Sequence, residues 1–119
     1  MRSRPHGERG MVTAELAACL PVLVLMLAVA VSAVSVAGVR VRAQDAAREA
    51  ARAAARGDPG QAQRLAQHAA PGVALDITTQ GDEVVAVARV SVHPLAGWLP
   101  GLTVTERAVA AVEPSAASP

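Results

Sequence analysis

The chain has 119 residues, a formal net charge of +1, one Trp, and neither Phe nor Tyr. Near-neutral charge argues against a nucleic-acid binder held by phosphate contacts, and the missing aromatics remove the platforms on which single-stranded bases stack. Once a long apolar segment near the start is set aside, the remainder is enough for one small domain with an aliphatic core.

The first ten residues are short and basic, with Arg2, Arg4 and Arg9, and they end in Gly10. An apolar helix starts at once, and its one early charge is Glu15, five residues after Gly10. Residues 16–39 then run for 24 positions without a charge. At 1.5 Å per residue that is about 36 Å, enough to cross a hydrocarbon core of about 30 Å. Pro21 removes the hydrogen bond to the Ala17 carbonyl and is expected to kink this helix. Small residues recur four apart, at Ala28/Ser32 and Ala33/Ala37, a spacing that lets membrane helices approach closely. Cys19 is the single cysteine and reads as a small apolar residue of the run.

Three kinds of export signal compete for this segment. A secretory signal peptide would use the three arginines and a cut after Ala28-Val29-Ala30, but the apolar run continues to Val39 where such a signal would turn polar. The lipobox-like Leu16-Ala17-Ala18-Cys19 precedes its hydrophobic stretch, the reverse of a lipoprotein signal. A basic leader ending in Gly10, an intact apolar helix after it and Glu15 at the fifth position resemble the class III leader of type IV pilin-like proteins. Within that group, Met11 to Val31 resembles the TadE-like minor pilins or pseudopilins of the tight-adherence (Tad) system. Glu15, Leu20 and Pro21 match their pattern of glutamate, small-apolar stretch, Leu-Pro and apolar run. Major Tad pilins usually carry Tyr after the glutamate, where Leu16 stands here, and are much shorter. The resemblance covers residues 9–56.

That resemblance implies cleavage between Gly10 and Met11 by a prepilin peptidase on the cytoplasmic side. It implies assembly through Glu15, whose carboxylate would pair with the freed amino terminus of a neighbouring subunit. It implies Tad pilus or secretion components and other pilins as partners, and a single-pass protein of the cytoplasmic membrane. The arginine count points the other way on orientation. Arg40, Arg42, Arg48, Arg52 and Arg56 outnumber the three of the leader, which alone would hold the C-terminal part in the cytoplasm. Leader removal requires the opposite, so the head is expected outside.

Beyond the membrane the helix continues. Gln44, Asp45, Arg48, Glu49, Arg52 and Arg56 fall on one arc, and Ala46, Ala47, Ala50, Ala53 and Ala54 on the other. Glu49 and Arg52 are spaced to pair, and Gly57 is a natural stop. Asp58 as N-cap, Pro59 at the first position and Gln61 open a short helix that closes before Pro71-Gly72. Val73, Leu75 and Ile77 alternate with polar positions in a first strand, and a Gln-Gly-Asp turn follows. Residues 83–93 and 103–113 read as two further strands. The loop between them carries Trp98, expected to lie as a lid over the small core.

The expected fold is therefore α+β: a long N-terminal transmembrane helix extending into a small head with a short helix and a three-stranded antiparallel sheet. The expected segments are a cleaved leader (1–10), a transmembrane helix (11–39), an amphipathic extension (40–57), the head (58–113) and a disordered tail (114–119). No catalytic, cofactor or metal site is expected. His6, His68 and His93 are isolated, no Cys/His pair has ligand spacing, and no phosphate-binding loop is present. The expected role is a structural minor pilin or pseudopilin. The alternatives are a small exported binding domain released by ordinary signal peptidase, and a plain single-pass anchored protein.

Overall fold

The computed structural model describes residues 7–114, with side chains from Gly10 onward. The leader positions before Gly7 and the tail residues 115–119 lie outside the described residues. Helix α1 runs unbroken over Gly7–Ala55, 49 residues that include Pro21. The expected membrane segment and amphipathic extension are thus one rod of about 73 Å. It is long and apolar enough to cross a membrane.

Gly57 ends the rod. Its φ of 83° reverses the chain, its N–H donates to the Ala54 carbonyl, and the Asp58 N–H donates to the Ala53 carbonyl. This pair of bonds satisfies carbonyls that the last helical turn leaves open. Asp58 then caps α2, Pro59–Ala69, by accepting from the Gln61 N–H at 2.8 Å. Pro59 at the start of α2 has no N–H to leave orphaned. Gln67 ties off the far end. Its amide donates to the Val73 carbonyl and its oxygen accepts from the Gly72 N–H.

Strands β1 (Ala74–Gln80), β2 (Glu83–Val92) and β3 (Leu102–Ala111) form an antiparallel meander with β2 at the centre. Gln80 pairs with Glu83, so the first hairpin turns in two residues, and Gly81 takes a φ of 61° there. In β2, Val84, Ala86 and Ala88 are buried, with Val85 buried as well on the other face, and in β3 Val104, Glu106, Ala108 and Ala110 are half-buried in alternation. One sheet face thus rests on the helices, and the other is exposed except around Val85 and Val87 of the central strand.

Between these layers lies a core made almost wholly of alanine. Ala46, Ala47, Ala50, Ala51 and Ala53 of α1 meet Ala62 and Ala66 of α2, with Ala86 and Ala88 of β2. Of the polar arc expected on the opposite side, Asp45, Arg48, Glu49, Arg52 and Arg56 are exposed and Gln44 is half-buried. Glu49 and Arg52 do approach, at 3.7 Å, for a few tenths of a kcal/mol at most. Methyl side chains let the backbones come close, so the core is thin and holds little spare volume. Ala50→Leu should therefore overpack it and cost about 1–3 kcal/mol. In detergent-solubilised full-length chain, thermal denaturation followed by circular dichroism should show a lower midpoint. Arg48→Leu, on the exposed arc, should stay within about 0.5 kcal/mol of the unaltered chain. Equal midpoints for Ala50→Leu and Arg48→Leu would show that the alanine layer is not tightly packed.

Trp98 corrects the sequence reading. It is not a lid on the core but 91% exposed, at the C-terminal end of a 3-10 turn over Pro94–Gly97. The core had no opening for it to cover. Alanines close the layer, and the loop bearing Trp98 projects away from it, alongside the apolar part of α1.

Candidate assembly site on the N-terminal helix

Gly10, Met11, Glu15 and Pro21 all lie on α1. Met11 and Glu15 are four residues apart, hence on one face and about 6 Å apart along the axis. The described part of the chain offers this stretch nothing to pack on. Met11, Leu16, Leu20 and Leu23 are 62–74% exposed, and Glu15 is exposed as well. Among the described residues, Glu15 makes neither an ion pair nor a side-chain hydrogen bond. A carboxylate about one turn into the apolar stretch thus stands clear of the other described residues, open to a membrane or another chain.

Gly10 occupies ordinary helical backbone, and a Cβ built there would meet nothing within 4 Å. Neither a left-handed turn nor a close approach explains a glycine at this point, although glycine weakens a helix by about 1 kcal/mol relative to alanine. Gly38 is similarly open. What sets Gly10 apart is its place at the junction of the basic and apolar segments.

The head clasps the other end of the helix at three points. The Leu95 N–H donates to Ser32 Oγ at 3.3 Å, Arg40 Nε donates to Glu106 Oε1 at 2.8 Å, and the Glu113 N–H donates to the Ala55 carbonyl at 3.2 Å. The Arg40–Glu106 pair was not anticipated from sequence, yet its signal was there. Glu106 is in phase with Val104, Ala108 and Ala110, so the alternation of β3 points it at α1. The Arg40 side chain is 73% exposed, which holds the pair to about 1 kcal/mol or less. Its effect is to fix the lengthwise position of the sheet on the rod. Among the described residues, no three His, Cys, Asp or Glu side chains are grouped to hold a metal ion.

The family described as TadE-like protein matches residues 10–52, from the glycine through the membrane segment into the alanine face. The chain is also similar to a Mycobacterium tuberculosis protein named Apoptosis inhibitor Rv3655c. The two are 40% identical over 100 residues, which cover 84% of this chain and 78% of that protein. No solved structure matches the chain significantly.

Proposed function

The chain belongs to the TadE-like family, and from that premise we propose that it is a minor pilin or pseudopilin, a structural subunit of a Tad-type pilus or secretion apparatus. In this reading α1 anchors the chain in the cytoplasmic membrane with the head outside. A prepilin peptidase removes the leader after Gly10, and other pilins and Tad components are the partners. Once drawn into a filament, the head stands on the cell's exterior.

The observation that carries this reading is Glu15, exposed at the start of the apolar stretch of α1 and without a partner among the described residues. Burying such a group near the middle of a membrane costs about 2.5–3.5 kcal/mol on insertion scales, and less near the edge. A cut after Gly10 would create an ammonium group at Met11, on the same helix face. A neighbour displaced by about one helical turn could then set its carboxylate against that amine. At low dielectric such a pair is strongly position-dependent, so it would fix the axial register between subunits. Before pairing, the carboxylate sits near the start of the mature helix, the end at which the helix dipole favours negative charge.

The mature N-terminus tests the proposal. Mass spectrometry of the membrane fraction should find a chain beginning at Met11. A chain beginning at Val31 would assign the segment to ordinary signal peptidase instead. That cut would leave all three clasps with the head, since Ser32, Arg40 and Ala55 follow it.

A further inference from the structure

The loop that joins β2 to β3 is the least polar part of the head. Residues 94–101 and the first four of β3 carry no charge, and Trp98 and Leu99 of the loop and Leu102 at the start of β3 are 91%, 48% and 51% exposed. The loop is held in a defined shape. Leu95 and Ala96 both have a φ of 52°, a left-handed conformation that residues with a Cβ rarely adopt. At its base the His93 ring packs on Gly101, where an added Cβ would lie 3.1 Å from Nε2. This shape opens a crevice of about 900 Å³ between the loop and α1. Val24, Ala28 and Val31 of the helix line one wall, and Val92, Leu95 and Trp98 the other.

Helix geometry places that crevice in depth. A hydrocarbon core of about 30 Å takes about 20 residues of straight helix. Counted from Met11, just past the last arginine of the basic segment, the far side of the core falls at Val31. Ser32, which accepts from the Leu95 N–H, is the next residue. The loop therefore meets α1 at the level where the hydrocarbon ends on the head's side, and the Trp98 wall extends back beside Val24 and Ala28. Above that level Val36 and Val39 are half-buried, so protein begins to cover the rod where lipid leaves off.

We propose that residues 94–101 form a lipid-inserting hook: Trp98 seats among the headgroups and upper acyl chains of the leaflet facing the head, and acyl chains fill the crevice between the loop and α1. Tryptophan suits that boundary, because its large apolar ring carries a single N–H that can still find a partner there. Lipid is the solvent at that depth, so it occupies the crevice of an unassembled subunit, and a second copy would have to displace it. The hook would set the head's height and tilt over the membrane through a contact separate from α1. The inference rests on α1 spanning a membrane and not on the pilus assignment.

The chain carries its own probe, since Trp98 is the sole Trp and there is no Tyr. Full-length protein is reconstituted into phosphatidylcholine vesicles, with and without lipids brominated along the acyl chain. Trp98 emission should be blue-shifted and quenched severalfold by brominated lipid. It should be most quenched by bromines near the headgroup end and little affected by aqueous iodide. The same result should hold as protein is diluted in lipid. Iodide quenching without bromolipid quenching would place the loop in water. Shielding from both quenchers, varying with protein density, would place a second copy in the crevice. Either result overturns the hook. Carbonate extraction of the same vesicles separates the two levels of failure. A chain that resists extraction while Trp98 is quenched by iodide keeps its anchor and loses only the hook. A chain that is released loses the anchor as well.

Discussion

Glu15→Leu should insert into the membrane as well as the unaltered chain, or better, and yet fail to co-purify with the other pilus components. The two halves of this result have one cause. Leucine removes the desolvation cost of a carboxylate in an apolar helix, so insertion gains up to about 2 kcal/mol near the helix end. Assembly would lose the carboxylate proposed to pair with a neighbour's amino terminus. Leaving one charge of a buried pair unmatched costs about 3–5 kcal/mol, which corresponds to at least about a hundredfold in association. Leader cleavage should survive, because Glu15 lies beyond the bond that is cut. Glu15→Gln sharpens the test. It keeps the shape and part of the hydrogen bonding but not the charge, so it should be partly or wholly defective in co-purification. If both variants assemble like the unaltered chain, Glu15 only marks where the apolar helix begins.

Gly10→Val should act one step earlier, leaving the leader attached and the precursor in the membrane. Folding should not suffer, since the position is open helix with nothing within 4 Å of the new Cβ, and valine is the better helix former of the two. The proposed processing should suffer, because a branched side chain would stand where the cleavage signal offers the peptidase none. Steric exclusion of this kind gives at least about tenfold discrimination. Mass spectrometry or immunoblotting of the membrane fraction should show the heavier species accumulating. Processing of Gly10→Val at the unaltered rate would remove Gly10 from the cleavage signal, whatever Glu15 does.

Much of the fold could be read from the chain because periodicity reports burial. The spacing of Ala46, Ala47, Ala50, Ala53 and Ala54 marked the face that became the core; the first four are fully buried and Ala54 is partly so. Alternation in residues 73–78 marked a first strand with the correct face, the run 83–93 marked a second that ends one residue earlier, at Val92, and Gly57 and Asp58 marked the break between the helices. Periodicity says which side of an element is covered but not where along a long helix its cover lies. The docking of the sheet over residues 32–55 of α1 depends on loop geometry and on two polar contacts distant in sequence, Ser32 with Leu95 and Arg40 with Glu106. The misreading of Trp98 has the same source. An apolar loop residue near a small core is a reasonable candidate to cover it, until the sheet slides along the rod and carries the loop past the core's end. Glu15 and Gly10 were conspicuous for another reason. Each is locally unfavourable, a charge in an apolar run and a glycine in a helix, and nothing in the described chain compensates for either.

The three clasps on α1 also decide how the subunit would bear load. Ser32, Arg40 and Ala55 span about 35 Å of helix, and β3 lies along the rod between the attachments at Glu106 and Glu113. A pull directed along α1 would work against these attachments together, in shear, with the alanine layer resisting over its whole length. A pull across the axis would start at one end and peel them one at a time. A head joined to its rod in this way is strong in tension and weak in torsion or lateral drag, so the direction of the force decides whether it holds.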